Sequence, residues 1–296
     1  MMEQGKLHVD LQEELNILRV QCFHDKTDVF PFVFHSKAPL PSTKHLLVGH
    51  SAFHEIFPSQ TPDVDYTKFL SQLKTLEVID LSQLESIGFE HSWIGPFIEN
   101  LQDIRVFYCA NLTNLTAFTV SFSKLETINV QNCDGLKYLF TSSTAKTLSV
   151  LKEMILVNCK SIIEIVAKEG DEPNEGAMPF MELSVLTLGS LPKLGSFYSG
   201  SFTLSFSSLK EVSFTQCNNT KVFRLGDKVP DELKVTIDGV ICEGDKNEVI
   251  MQQIDEATRV SKDLRVTIDG ECPEGDINNV IIQQVEDERQ PADLVS

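Results

Sequence analysis

Histidine and cysteine are the residues of this chain whose chemistry could support metal binding or catalysis. The seven histidines all lie within the first 91 residues, and His50 and His54 have the i, i+4 spacing that places two imidazoles on one face of a helix. Their surroundings have the pattern of a strand followed by a turn, in which side chains four residues apart do not converge. The two histidines are therefore not predicted to bind one metal ion. Cys22 and His24 lack a third group to orient a nucleophile. We therefore expect no catalytic residue, no metal ligand and no cofactor-binding residue.

Charge and hydropathy narrow the class of partner. The formal net charge is −18 over 296 residues, which disfavours nucleic acid or an anionic membrane as the main partner. No apolar run reaches the roughly 18 residues that span a bilayer, and the first residues show no apolar segment typical of a secretory signal. The expected location is the cytoplasm. The sequence leaves the oligomeric state open.

Four of the seven cysteines recur inside one sequence frame. The segments LQDIRVFYCANLTNL from residue 101, LETINVQNCDGLKYL from 125, LKEMILVNCKSIIEI from 151 and LKEVSFTQCNNTKVF from 209 share the pattern LxxLxLxxCxxLxxL. This pattern is typical of the leucine-rich repeat. Weaker copies bring the number to about eight, starting near residues 15, 43, 73, 101, 125, 151, 183 and 209. The predicted fold class is therefore α/β, a leucine-rich-repeat solenoid with a parallel sheet on the concave face and irregular or short helical segments on the convex side.

Strand geometry divides the frame into two faces. Successive side chains of a strand point to opposite sides of the sheet, so residues such as Ile104 and Val106 are predicted to face the core. The column of cysteines is predicted to pack in the core. The positions between and after the inward pair are predicted to be exposed, and aromatic or apolar residues there favour a protein-binding surface. The candidate protein-binding residues are Arg105, Phe107, Tyr108, Asn129, Gln131, Ile155 and Val157.

The two ends of the chain differ from the repeats. Residues 233–256 and 264–287 align at an offset of 31 residues with 14 of 24 positions identical, and each copy predicts a strand, a glycine turn and a helix. A solenoid needs such a piece to cover its last open face. At the other end, Leu15, Leu18 and Val20 are predicted to form an exposed strand with no partner. The expected domains are a poorly capped lead-in over 1–14, the solenoid over 15–230, a strand-helix cap over 231–260, its duplicate over 261–287 and a disordered tail over 288–296.

Several segments resemble a known family. LFTSSTAKTL (139–148), NCKSIIEIVAKEGDE (158–172) and FYSGSFTLSFSSLKEVSFTQC (197–217) are similar to the leucine-rich-repeat region of plant coiled-coil nucleotide-binding disease resistance proteins, as are SIGFEHSWI (86–94) and GDKNEVIMQQ (244–253). The resemblance implies a non-catalytic module of plant defence. It implies three kinds of protein partner: a pathogen effector, a guarded host protein, or the nucleotide-binding domain that such repeats hold inactive.

The sequence contains no GxxxxGK[ST] loop to hold phosphates, so nucleotide binding does not follow from the resemblance. The expectation is a truncated receptor or a standalone repeat protein. Two other functions stay open. A substrate adaptor of a ubiquitin ligase also uses such repeats, although residues 1–14 are short for its helical segment, and a secreted receptor ectodomain would use the sequons at Asn111, Asn114 and Asn218.

Overall fold

The computed structural model describes residues 8–12 (backbone only), 16–21, 43–57, 70, 72–89, 91, 93–116, 120–170, 177–217, 222–223 and 227–241. The chain divides into two units, residues 1–259 and residues 260–296. All described residues belong to the first unit. The predicted tail helices, the second copy of the cap and the tail end lie outside the described residues.

The main sheet contains one short strand from each repeat of the sequence frame. The strands of this sheet are β1 (His8–Gln12), β2 (Ile17–Gln21), β3 (His45–Gly49), β4 (Thr75–Ile79), β5 (Asp103–Phe107), β6 (Thr127–Gln131), β8 (Glu153–Val157), β11 (Val185–Gly189), β14 (Glu211–Thr215), β15 (Lys234–Ile237) and β16 (Val240–Ile241). They lie side by side in chain order, and all neighbours from β2 to β15 pair in parallel. Only the outermost strands, β1 and β16, pair antiparallel.

The opposite side of several coils carries shorter elements. They are α1 (Gly95–Ile98), β7 (Phe140–Thr141), α2 (Ser142–Ala145), β9 (Glu164–Ala167), β10 (Ala177–Pro179), β12 (Ser196–Tyr198) and β13 (Thr203–Ser205). β7, β9 and β12 form a three-stranded parallel sheet, and β10 pairs in parallel with β13. The predicted solenoid, with a parallel sheet on one side and short helical segments on the other, is confirmed.

The core lies between these two layers. The second and fourth residues of the main strands point into it, and Leu18, Val48, Ile104, Val130 and Leu156 have no solvent exposure. Phenylalanines fill the space behind them; for example, the ring centroids of Phe180 and Phe206 are 5.4 Å apart. No single coil could bury these side chains alone, and stacking the coils creates one continuous core.

One expectation about the N-terminal end is wrong. The sequence left the outer edge of β2 without a partner, but β1 pairs with it over five residues, from His8 opposite Gln21 to Gln12 opposite Ile17. Leu18 and Val20 are fully buried. An antiparallel hairpin of this kind satisfies the backbone groups of an edge strand without requiring another repeat. At the other end, β16 folds back on β15 in the same way through a turn at Asp238 and Gly239, both with positive φ.

Candidate protein-binding face

The outward side chains of the main strands form regular rows. Register places Arg105, Asn129 and Ile155 side by side at the third position of β5, β6 and β8. It places Phe107, Gln131 and Val157 side by side at the fifth position. Tyr108 follows Phe107 at the end of β5. The structure thus brings the seven predicted residues together on one surface, which we call the strand face. Whether this surface binds a protein stays a prediction.

The predicted exposure of part of this face is wrong. Phe107, Gln131 and Val157 are only 4%, 5% and 6% exposed, whereas Arg105, Asn129 and Ile155 are half-buried. Neighbouring strands lie about 4.8 Å apart, so side chains in one row cover each other, and Ile79 continues the row beside Phe107. Tyr108 is 41% exposed, the largest exposed fraction among the large hydrophobic residues of the strand face.

The residue after each main-sheet strand from β3 to β15 adopts an unusual backbone conformation that sequence reasoning missed. His50, Asp80, Tyr108, Asn132, Asn158, Ser190, Gln216 and Asp238 all have φ between 47° and 59°. Their amides continue the ladder beyond the strands; for example, the Tyr108 N–H donates to the Gln131 carbonyl at 3.0 Å. This left-handed region costs an L-residue roughly 1–2 kcal/mol, and asparagine and aspartate tolerate it best. The recurring Asn or Asp before the cysteine column is the signal that could have revealed it.

The cysteine column closes the same turn from inside. Cys109, Cys133 and Cys159 are fully buried free thiols, and each Sγ–H donates to the carbonyl two residues before it, at 3.3–3.4 Å. In the coil that carries a serine at this position, the Ser51 hydroxyl makes the same bond to Gly49 at 2.7 Å. Where a cysteine or serine occupies this position, its side chain therefore ties the turn to the strand before it.

The environment of these thiols opposes ionisation. The contact with Cys133, followed by burial, raises the pKa of Cys109 well above its usual value. The pKa of Cys133 is also raised, because the contact with Cys159 and burial together outweigh the lowering effect of Cys109. A thiol in this state is a poor nucleophile and a poor metal ligand. The arrangement therefore supports packing and gives no basis for redox or catalytic chemistry.

The histidines of the second and third repeats face carboxylates in the neighbouring coil. His45 Nε2 lies 3.1 Å from Glu77 Oε2, and His91 Nε2 lies 2.6 Å from Glu55 Oε1. His50 and His54 contact different carboxylates, those of Asp80 and Glu85, at 3.0 Å and 3.6 Å. Across the described parts of the chain, no group of three or more His, Cys, Asp or Glu side chains could hold a metal ion. Within the same residues, no helix is long and apolar enough to cross a lipid bilayer.

These features define a leucine-rich-repeat fold, and the comparisons with known proteins show which repeat proteins the chain resembles. Residues 119–224, about a third of the chain, match the family model described as plant disease resistance protein RPS2-like, leucine-rich repeats. The probable disease resistance protein At4g14610 of Arabidopsis thaliana is 30% identical over 173 residues, which are 56% of this chain and 24% of that protein. The predicted resemblance to the repeat region of plant disease resistance proteins is confirmed.

Two further proteins are similar. The disease resistance protein SUMM2 of Arabidopsis thaliana is 28% identical over 203 residues, which are 64% of this chain and 21% of that protein. Among solved structures, the leucine-rich repeat domain of the type III effector XCV3220 (XopL) has a TM-score of 0.43 and 16% identity, covering 77% of this chain and 79% of that chain. The chain spans less than a quarter of the length of the two Arabidopsis proteins.

Proposed function

We propose that this chain is a non-catalytic protein-binding module of plant intracellular immunity, acting in the cytoplasm. It would recognise a pathogen effector or a guarded host protein, and it would contact a nucleotide-binding domain to hold that domain inactive. The observation that supports this proposal most directly is the family match over residues 119–224, because β6 and β8 of the strand face lie inside it. Both Arabidopsis relatives are named disease resistance proteins.

The chemistry of the strand face suits a protein partner. Its third-position row combines the cation of Arg105, the amide of Asn129 and the aliphatic side chain of Ile155, all half-buried. Protein interfaces characteristically enclose apolar and aromatic anchors in a polar rim, with arginine enriched. The buried fifth-position row, which consists of Phe107, Gln131 and Val157, lies next to the third-position row and holds it in place. We therefore assign the seven residues to binding, with the buried three as supports rather than contacts.

A binding screen followed by charge reversal tests the proposal. The chain is screened for binding to pathogen effectors, to host proteins and to a nucleotide-binding fragment of a relative. The affinity of any protein that binds is then measured by calorimetry. A double variant, Arg105→Glu with Asn129→Lys, changes the charge of the two half-buried polar residues of the strand face, on the side of the sheet away from the core. We expect it to weaken binding at least about tenfold, the effect of removing interface anchors.

The control reverses two charges elsewhere on the solenoid. Lys137 and Lys193 are exposed in segments that follow the cysteine-column position, outside the strand face. The double variant Lys137→Glu with Lys193→Glu is expected to bind like the unmodified chain. If the two double variants weaken binding equally, the strand face is not the recognition surface.

A further inference from the structure

Tyr108 adopts a backbone conformation that suits it poorly. Nine non-glycine residues among the described positions have positive φ; five are asparagine or aspartate, and Tyr108, with φ of 59°, is the bulkiest. Asparagine and aspartate are several-fold enriched in this region, and a bulky residue there is an outlier. The equivalent positions of the next two coils, Asn132 and Asn158, follow the favourable choice. The fold therefore favours asparagine at residue 108.

Burial does not offset this strain. Tyr108 is exposed to 41%, unlike its neighbour Phe107, which is buried to 96%. Backbone strain whose energy is not offset by packing is concentrated at binding and catalytic sites, where it holds a side chain in position for binding. An exposed aromatic ring held rigidly by a main-chain ladder is a suitable anchor for a partner.

The surroundings of Tyr108 specify the charge of that partner. The Asp80 N–H donates to the Phe107 carbonyl at 2.8 Å, so Asp80, Tyr108 and Asn132 follow one another across the ladder at strand spacing. The Asp80 side chain is 55% exposed, and its Oδ2 contacts His50. Glu77 and Asp103 are further carboxylates on the outward side of β4 and β5; Arg105 lies opposite Glu77, which His45 also contacts at 3.1 Å. The net charge of the side chains around the exposed Tyr108 ring is therefore negative.

We propose that Tyr108 anchors the partner by binding an arginine side chain, whose guanidinium stacks on the phenol ring and faces the carboxylate of Asp80. An arginine guanidinium stacks on aromatic faces and pairs with carboxylates in its own plane. The Tyr108 ring and the Asp80 carboxylate are therefore suited to bind the same guanidinium. The inference rests on the proposed function, because it names the partner chemistry of the strand face. It commits to a protein segment that presents arginine.

The first test measures thermal stability. Tyr108→Asn removes the strain, and we expect the melting temperature to rise by about 2 °C or more. Ile163→Asn is the matched control, because Ile163 is also a large exposed hydrophobic residue, at 53%, but its φ is not positive. The control is expected to show no gain. A melting temperature that stays level or falls in Tyr108→Asn would mean that the tyrosine serves the fold, which overturns the proposal.

The second test measures cation binding directly. N-acetyl-arginine amide and its citrulline counterpart, which has the same shape without the charge, are titrated into the ¹⁵N-labelled chain. We expect the arginine compound to shift the amide signals of Asp80, Tyr108 and Asn132, and the citrulline compound to leave them in place. The shifts are expected to persist in Tyr108→Phe and Ile163→Asn and to disappear in Tyr108→Asn. Equal shifts with both compounds, or shifts that survive Tyr108→Asn, contradict the proposal.

The two proposals can fail separately. If the double variant of Arg105 and Asn129 abolishes partner binding while the arginine compound shows no Tyr108-dependent shifts, only the arginine inference is wrong. If partner binding does not depend on the strand face at all, the proposed function is wrong, whatever the arginine compound does.

Discussion

Single residues in this protein are constrained by backbone geometry as much as by side-chain chemistry. Gly88 has a φ of +86°, and a Cβ atom on it would lie 1.9 Å from the Phe57 carbonyl oxygen. That contact joins two neighbouring coils, since the Phe57 N–H donates to the Ile87 carbonyl at 2.9 Å. Glycine is required there because every other residue would clash with main chain that a rotamer change cannot move.

Replacing this glycine should therefore be costly. Gly88→Ala is expected to lower the free energy of unfolding by about 2 kcal/mol or more, since strain and a main-chain clash add. Chemical denaturation with urea measures the change. Gly95→Ala is the control, because a Cβ there meets nothing within 4 Å, and it should be neutral or stabilising. Similar losses in both variants would contradict this account of Gly88.

Thiol reactivity is the second prediction at this scale. The raised pKa values of Cys109 and Cys133 keep both thiols protonated well above neutral pH. We expect iodoacetamide at pH 8–9 to leave both residues unmodified in the native chain and to alkylate them in urea, as measured by mass spectrometry. Cys217 is only half-buried, so it should react before Cys109 and Cys133. Native labelling of Cys133 as fast as that of Cys217 would show that the column is open to solvent.

At the scale of elements, the short helix α2 shows how one coil fixes the next. Thr141 caps its first turn by accepting a hydrogen bond from the Thr144 N–H, and Glu169, from the following coil, accepts from the Ser143 N–H at 2.8 Å and the Ser142 hydroxyl at 3.3 Å. Partial burial works to raise the pKa of Glu169, but the hydrogen bonds from Ser143, Thr141 and Ser142 prevail and lower it. The carboxylate therefore stabilises the fold only while it is ionised.

The sign of the pH dependence follows from that lowered pKa. The stabilisation by Glu169 is present above the pKa that its carboxyl has in the unfolded chain, and it is lost as the pH falls through the lower pKa of the folded state. Glu169→Gln should lower the free energy of unfolding at pH 7 by less than about 1 kcal/mol, because the group is partly exposed to solvent. The difference from the unmodified chain should vanish in acid. Denaturation at pH 7 and pH 3 measures it, and a pH-independent difference would contradict the role of the charge.

At the scale of the whole molecule, stability comes from contacts between successive coils. Each inward side chain packs against equivalents in the coils before and after it, as Leu156 does between Val130 and Leu188. Ion pairs join adjacent coils at the surface as well, among them Lys152–Glu126 and Lys160–Asp134, but they are exposed and add little. Removing a side chain from the middle of the stack therefore disturbs both interfaces of its coil.

A central core truncation tests this view. Leu156 is fully buried in β8, and Leu156→Ala is expected to cost about 2–5 kcal/mol of unfolding free energy. Thr187→Ala, on the outward side of the neighbouring strand β11, should change it by less than about 0.5 kcal/mol. Urea denaturation followed by circular dichroism measures both. Equal effects would mean that the two sides of the sheet are not distinguished by burial.

The sequence by itself determined the coil and its inward residues. The spacing LxxLxLxxC repeats in one coil after another, and the period of a strand then requires that residues such as Ile104 and Val106 share one side of the sheet. The position of Cys109, Cys133 and Cys159 in the core also follows from this local pattern, whereas Cys217, which shares the pattern, is only half-buried. The family resemblance rests on contiguous segments and was therefore readable from the chain alone.

Only the tertiary structure decided which outward residues meet solvent. Phe107, Gln131 and Val157 are outward by period but are buried by neighbours some 25 residues away along the chain, which a pattern within one repeat does not contain. The pairing of β1 with β2, and the positive φ that sets Tyr108 apart, likewise depend on hydrogen bonds between coils. Direction within a strand is a local property, whereas exposure and strain arise from the stacking of coils.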